Sequence, residues 1–162
     1  MAKINSKKKG NRVELELAKK LTERFGQEFK RVPMSGAWAT NNRESEIRED
    51  AKEVLAGDIM CPKNFKFSVE SKGRIDFNFW DLLNNDTEHL EIDDWIAQAE
   101  ADAKLVGKEP LIYVKVNNRK PFVLFHSALL PNSNEKVLLY GDYRIMRFDY
   151  FMELTEAFFF EE

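Results

Sequence analysis

The tightest constraint on this chain is the change of hydrophobic period along its length. Residues 8–26 and 92–106 repeat their apolar groups at helical spacing, whereas short stretches between and after them alternate with the period of two that a strand requires. In the second helix Ile92, Trp95, Ile96, Ala99, Ala103 and Val106 share one face, and Gly26 is placed to cap the first. Residues 28–34 read as extended, and residues 43–55 as a short charged helix closed by Gly57. Strand patterns follow at Asp58–Met60 and Phe65–Lys72, joined by a Pro-Lys-Asn turn, then at Leu111–Val116 and Phe122–His126. Lys136–Tyr140 and Tyr143–Phe148 form a hairpin pattern about Gly141-Asp142, and Tyr150 to Phe160 read as a short aromatic helix. Helix, strands, helix, strands predicts an α/β fold with a mixed central sheet flanked by helices.

A length of 162 residues sets one domain, and 43% hydrophobic residues supply a sizeable core. No apolar run approaches the ~20 residues of a membrane span. The basic N-terminus has no apolar stretch behind it, so no secretory signal is expected. The lone Cys61 excludes an intramolecular disulfide and a cysteine-based zinc cluster, which points to a reducing, cytoplasmic setting. Beside Pro62, it reads as a buried strand-end thiol.

The net charge of −3 argues against a generic basic nucleic-acid binder, yet the charge is unevenly spread. Residues 1–31 hold ten Lys and Arg against four Glu, while residues 75–103 hold nine Asp and Glu with no Lys or Arg. The basic end can track a phosphate backbone, and the acidic segment should face away from it. Binding through that end should weaken steeply with salt, and deleting Met1–Lys8 should flatten the slope.

Two places break the hydrophobic pattern with charge. At ~100° per residue, Glu14 falls in the middle of the stripe made by Leu17, Ala18, Leu21 and Phe25, while Glu16 points the opposite way. A carboxylate facing the core is costly unless paired, protonated or metal-bound. Escape to water at the start of the helix is the competing reading. The second place is the strand pattern itself, where Phe67 and Val69 share one face and Glu70 and Lys72 the other. Asp58 precedes them, just after Gly57. Two carboxylates and a lysine at neighbouring strand ends suit phosphodiester hydrolysis: the acids hold Mg²⁺ through hard oxygens, the metal activates water, and the lysine neutralises developing charge. An ordinary amphipathic edge strand gives the same local pattern.

In family order, Lys9-Gly10-Asn11-Arg12-Val13-Glu14, then Arg31, Ser35-Gly36, Gly57-Asp58-Ile59 and Val69-Glu70-Ser71-Lys72 resemble the archaeal-type Holliday junction resolvases. That family belongs to the PD-(D/E)xK nuclease superfamily, and similar members are encoded by bacteriophages. The resemblance spans roughly residues 8 to 116. It implies a restriction-endonuclease-like core over residues 1–130 and a C-terminal hairpin and helix extension over 131–162, packed on the core or at a dimer interface. It implies Glu14, Asp58 and Glu70 as metal-binding acids, with Ser71 completing the ligand set, Lys72 as the catalytic lysine and Ser35 as an active-site residue. Mg²⁺ is the implied cofactor, with Mn²⁺ substituting, and a homodimer cutting branched DNA to a 5′-phosphate and a 3′-hydroxyl the implied machine. Leu15 stands where the archaeal proteins usually carry an arginine.

Around that core, Lys7, Lys8, Lys9, Arg12 and Arg31 are the candidate DNA contacts, and the same basic arm also reads as a solvated tail. Gln98 is a candidate for supporting the site from the second helix, with a solvent-facing glutamine as the plain alternative. Trp38 suits either stacking on unpaired bases or packing on the domain. The terminal Phe158-Phe159-Phe160 suits docking on the domain or a dimer contact. Competing functions are a nuclease of the same fold acting on duplex or flapped DNA, a silent DNA-binding subunit, and a protein-interaction module built on the acidic face.

Overall fold

The computed structural model describes residues 6–33, 57–83, 90–131 and 137–162. Helix α1 (Ser6–Phe25) buries the stripe Val13, Leu17, Ala18 and Leu21, and Leu17 and Leu21 each stabilise the fold by roughly 1.5–3 kcal/mol. The short strands β1 (Lys30–Arg31) and β2 (Ile59–Met60) pair antiparallel, Arg31 opposite Ile59. Strand β3 (Phe67–Arg74) passes through a 3-10 turn at Phe79–Leu83 into helix α2 (Glu91–Val106) and on to β4 (Glu109–Val116). β3 and β4 are parallel, so α2 is the crossover that such a pair requires. β5 (Phe122–His126), β6 (Val137–Tyr140) and β7 (Tyr143–Arg147) complete the sheet in antiparallel fashion, in the order β3-β4-β5-β7-β6. Two short helices, α3 (Phe148–Phe151) and α4 (Glu156–Phe159), close the chain. The α/β class and the mixed sheet expected from the periodicities are what the chain forms.

Alternation along β3 and β4 sorts the side chains into two cores. Phe67, Val69, Leu111 and Tyr113 pack with Leu17 and Leu21 of α1, while Ile112 and Val114 pack with Ile92, Trp95 and Ala99 of α2. Glu70 and Lys72, two residues apart, therefore share the α2 face of β3.

Several boundaries differ from the sequence reading. The strand expected at Phe65–Lys72 runs from Phe67 to Arg74, because the N–H of Phe65 is held in the preceding turn by the carbonyl of Pro62. At the far end, pairing with β4 continues to Arg74 opposite Val116. The expected helix Tyr150–Phe160 is two helices, since Arg24 draws the carbonyls of Met152 (2.8 Å) and Leu154 (3.2 Å) out of the helical ladder. The charged helix expected at residues 43–55 lies outside the described residues.

The C-terminus docks on its own domain. Phe159 is fully buried, its ring 4.8 Å from Phe25 and 5.1 Å from Phe151, and its carbonyl accepts from Lys66 N–H at 2.8 Å. β6 and β7 extend the same sheet rather than forming a separate layer. No described helix is long and apolar enough to cross a membrane.

At the end of β2, the Cys61 thiol donates to the carbonyl of Ile59 at 3.4 Å, and burial pushes it up to about 12. Since the thiolate is the reactive form, alkylation of the native protein at neutral pH should run roughly a thousandfold slower than that of the denatured chain. Iodoacetamide labelling followed by mass spectrometry measures the ratio, and equal rates would contradict the placement.

Candidate active site

Asp58 is held by three hydrogen bonds, two of them to β3. Its N–H donates to the carbonyl of Val69 at 2.8 Å, its carbonyl accepts from Val32 N–H at 2.9 Å, and its Oδ2 accepts from Ser71 N–H at 2.8 Å. Val69 and Ser71 flank Glu70, so the clamp sets the first acid beside the second. Gly57 makes this approach possible. It holds φ at +79°, and a Cβ there would lie 2.5 Å from the Val69 carbonyl oxygen.

Glu70 is 2% exposed. Burial raises its carboxyl well above the usual carboxylate range, nearby Asp58 and a hydrogen bond with Asp102 raise it further, and Lys72 opposes them. The Lys72 ammonium stands 3.9 Å from Glu70 Oε2 and donates to Gln98 Oε1 at 2.8 Å. Gln98 is exposed to solvent and at the same time within hydrogen-bond reach of Lys72. Asp102, one helical turn further along α2 and 8% exposed, is the group that sequence reasoning missed.

Of the two readings left open for Glu14, the structure takes burial over escape to water. Its Oε2 accepts from Arg31 Nε at 2.5 Å, and Arg31 Nη2 donates to Asn11 Oδ1 at 2.7 Å. Because Arg31 lies opposite Ile59 in the β1–β2 pair, this ion pair stands at the same end of the fold as Asp58. Arg31 turns these donors inward rather than standing as a free surface cation. Lys7, Lys8 and Arg12 are exposed, with Arg12 bound to Glu16 at 3.0 Å. Lys9 instead folds over Gly73, its ammonium buried with no hydrogen-bond partner among the described residues. Ser35, Gly36, Trp38 and the first five residues lie outside the described residues.

The donor set suits a hard divalent cation. Among the described residues no group of three ligating side chains forms a cage, though Asp58 and Asp102 both act on Glu70. Mg²⁺ is commonly held in this way, by one or two carboxylates, with water and substrate phosphate filling the other positions. A buried acid repelled by its neighbour, with a lysine only partly compensating, has room for positive charge. Glu14 is turned to Arg31 in this arrangement.

A clamped aspartate, a buried glutamate and a lysine two residues on, all borne on or against one strand of a mixed α/β sheet, match in type and order the residues that give the PD-(D/E)xK nucleases their name. The chain belongs to the phage putative PDDEXK endonuclease family, whose model matches residues 5–157. Nucleases of this class generally use divalent metal ions. No curated protein matches the sequence. Among solved structures the chain is similar to Hjc of Archaeoglobus fulgidus, a Holliday junction resolvase from an archaeal hyperthermophile, at 15% identity and a TM-score of 0.42, covering 85% of this chain and 86% of that one.

Proposed function

We propose that this protein is a Mg²⁺-dependent endonuclease that cuts branched DNA, with the four-way junction as its preferred substrate, and that it works as a homodimer in the host cytoplasm. The observation that carries the hydrolytic part is the clamp that sets Asp58 against Glu70 with Lys72 on the same face of β3. The junction part rests on the order of the motifs around Glu14, Ser35, Asp58 and Glu70 to Lys72. Asp58 and Glu70 would hold the cation, with Ser71 and Glu14 as further candidates from the same motifs. When bound, the cation polarises the scissile phosphate and lowers the pKa of a water molecule. Lys72 supplies a compact positive charge beside Glu70, where it can orient the attacking water or offset charge on the phosphate. Gln98 keeps that ammonium from folding away. The exposed Lys7, Lys8 and Arg12 would contact the backbone of the DNA arms, and Mn²⁺ would replace Mg²⁺.

A four-way junction and a linear duplex of matched sequence separate the substrate readings. Under identical Mg²⁺ and salt, the junction should be cut at least about tenfold faster, a difference of ~1.4 kcal/mol in the barrier. Equal rates would assign the enzyme to duplex DNA, and faster cutting of a flap would assign it to flapped DNA.

A further inference from the structure

Beyond the site, β3 and β4 end beside a groove that the hydrolytic residues do not use. Past Arg74 the chain leaves its pairing with β4 and runs through Ile75 and Phe77 into the 3-10 turn at Phe79–Leu83. The rings of Phe77, Phe79 and Phe122 lie with centroids between 4.8 and 5.4 Å apart. All three line an open groove of about 790 Å³, together with Arg119 and Lys120 of the β4–β5 turn and Arg147, which stands opposite Phe122 on β7. That volume falls within the roughly 300–1,000 Å³ of sites that take a small organic ligand. Large apolar groups remain in water here. Ile75, on the groove, is 65% exposed and Phe79 41%, and Trp80, the next residue of the same turn, is 75% exposed. Such a patch bordered by charge marks a contact surface. Among the described lining residues Asp76 is the one acid against three cations. Lys120 and Arg147 also meet Asp149, at 3.6 Å in the case of Lys120, while Arg119 stands exposed at the turn. The other acids nearby, Asp81 and Glu91, line a neighbouring hollow, and Arg74 binds Glu91 at 2.6 Å.

We propose that this groove binds unpaired nucleotides of the DNA strand beside the cut, with bases stacking on Phe79 and Trp80 and phosphates meeting Arg119 and Lys120. This rests on the reading of Glu70 and Lys72 as the cutting centre. Position, chemistry and charge favour that occupant. Ile75 follows Lys72 by three residues, at most ~10 Å of chain, so nucleotides flanking a phosphate at Lys72 reach the groove. A duplex offers phosphates but hides the faces of its bases, whereas exposed aromatic rings beside cations suit a strand whose bases are free to stack. A polyanion satisfies Arg119, Lys120 and Arg147, while the apolar face of a second copy would bury them without a counter-charge. Unpaired bases occur where the strands of branched DNA part. The groove therefore supplies a physical reason for preferring a branch over plain duplex, which the carboxylates and Lys72 by themselves do not.

The test is read in EDTA, so that binding is separated from cutting. A fluorescent thymidine oligomer of about ten nucleotides, a length such grooves span, and a fluorescent linear duplex are titrated by anisotropy with the full chain. The variants are Trp80→Ala, Ile75→Glu and Arg119→Ala, with Leu105→Glu as the control, since Leu105 is as exposed as Ile75 but lies at the far end of α2. Trp80→Ala should weaken oligomer binding about 5–100-fold, the loss of one stacked base, with duplex affinity within about twofold of the wild type. Ile75→Glu should weaken it by a similar factor through the charge it places in the groove. Arg119→Ala should lower the salt slope for the oligomer by about 0.7, the share of one phosphate contact. Leu105→Glu should bind as the wild type does. Wild-type oligomer affinity in both Trp80→Ala and Ile75→Glu would overturn the proposal, and so would equal losses on oligomer and duplex. A change of oligomeric state in sedimentation velocity, with oligomer affinity unchanged, would overturn it in favour of a second copy on this face. Glu70→Gln keeps the two readings apart. If it cleaves a junction at the wild-type rate with Mg²⁺, the reading of the cutting centre fails. If it is inactive while the groove variants bind the oligomer normally, only the groove fails.

Discussion

Glu70→Gln is expected to remove metal-dependent cleavage, by at least about a hundredfold, while leaving DNA binding intact and making the cation-free protein more stable. The activity loss follows from deleting one of two adjacent oxygen donors and the partner of Lys72. The gain in stability follows from what holds the carboxyl in place at present. Burial and the charge of Asp58 raise Glu70 well above its ordinary range, so the folded state binds its proton more tightly than the unfolded chain does. The stabilisation from that protonated form is complete below the unfolded value of about 4.3 and is lost as pH rises through the raised value. The substituted amide carries no charge to desolvate and keeps the hydrogen bond, so it escapes that loss. Melts in EDTA should show the variant above the wild type at pH 8 by several degrees, at ~2–4 °C per kcal/mol for a chain this size, with the gap closing toward pH 4. Mg²⁺ should raise the wild type and leave the variant unchanged. Asp58→Asn should lose activity equally while preserving the clamp, because the amide oxygen it introduces can still accept from Ser71 N–H.

The second large effect comes from a residue without a side chain. Gly57→Ala should destabilise the protein by about 2–5 kcal/mol, from the left-handed backbone penalty together with overpacking. The backbone there sits at φ +79°, and the new Cβ would meet the Val69 carbonyl oxygen at 2.5 Å and its nitrogen at 3.1 Å. Both are strand backbone atoms that cannot swing aside. Relief requires Asp58 to retreat from β3, so the surviving folded fraction should also lose cleavage. Urea melts and single-turnover rates on the same preparation measure the two effects, and a variant of wild-type stability would contradict the close approach. Gly10→Ala is the control, since a Cβ there meets nothing within 4 Å.

The way these residues came to notice says what a sequence can carry. Glu14 was legible because one helix places it at the centre of its own apolar stripe, a local contradiction that needs no partner to detect. Glu70 and Lys72 were legible through alternation along one strand. What alternation could not supply was the partner, because Arg31 reaches Glu14 from seventeen residues away and Gln98 reaches Lys72 from twenty-six. The same wheel that exposed Glu14 places Asp102 about 20° from Trp95, at the edge of the apolar face of α2. That signal was available, but among the many acids of residues 75–103 a solvated face explained it equally well. The pairing of β2 with β1, the break between α3 and α4, and the folding of Lys9 over Gly73 were invisible for a different reason. Each is decided by a contact between segments distant in sequence, such as Arg24 on the carbonyls of Met152 and Leu154.

The central claim is that Asp58, Glu70 and Lys72 cut branched DNA with a divalent cation. A four-way junction with each strand labelled in turn, incubated with the wild-type protein with and without Mg²⁺, tests it most directly. The account predicts Mg²⁺-dependent, symmetrically paired nicks on two opposing strands, ending in 5′-phosphates and absent with Glu70→Gln. Nicks that persist in EDTA, or that survive Glu70→Gln at the wild-type rate, would contradict it.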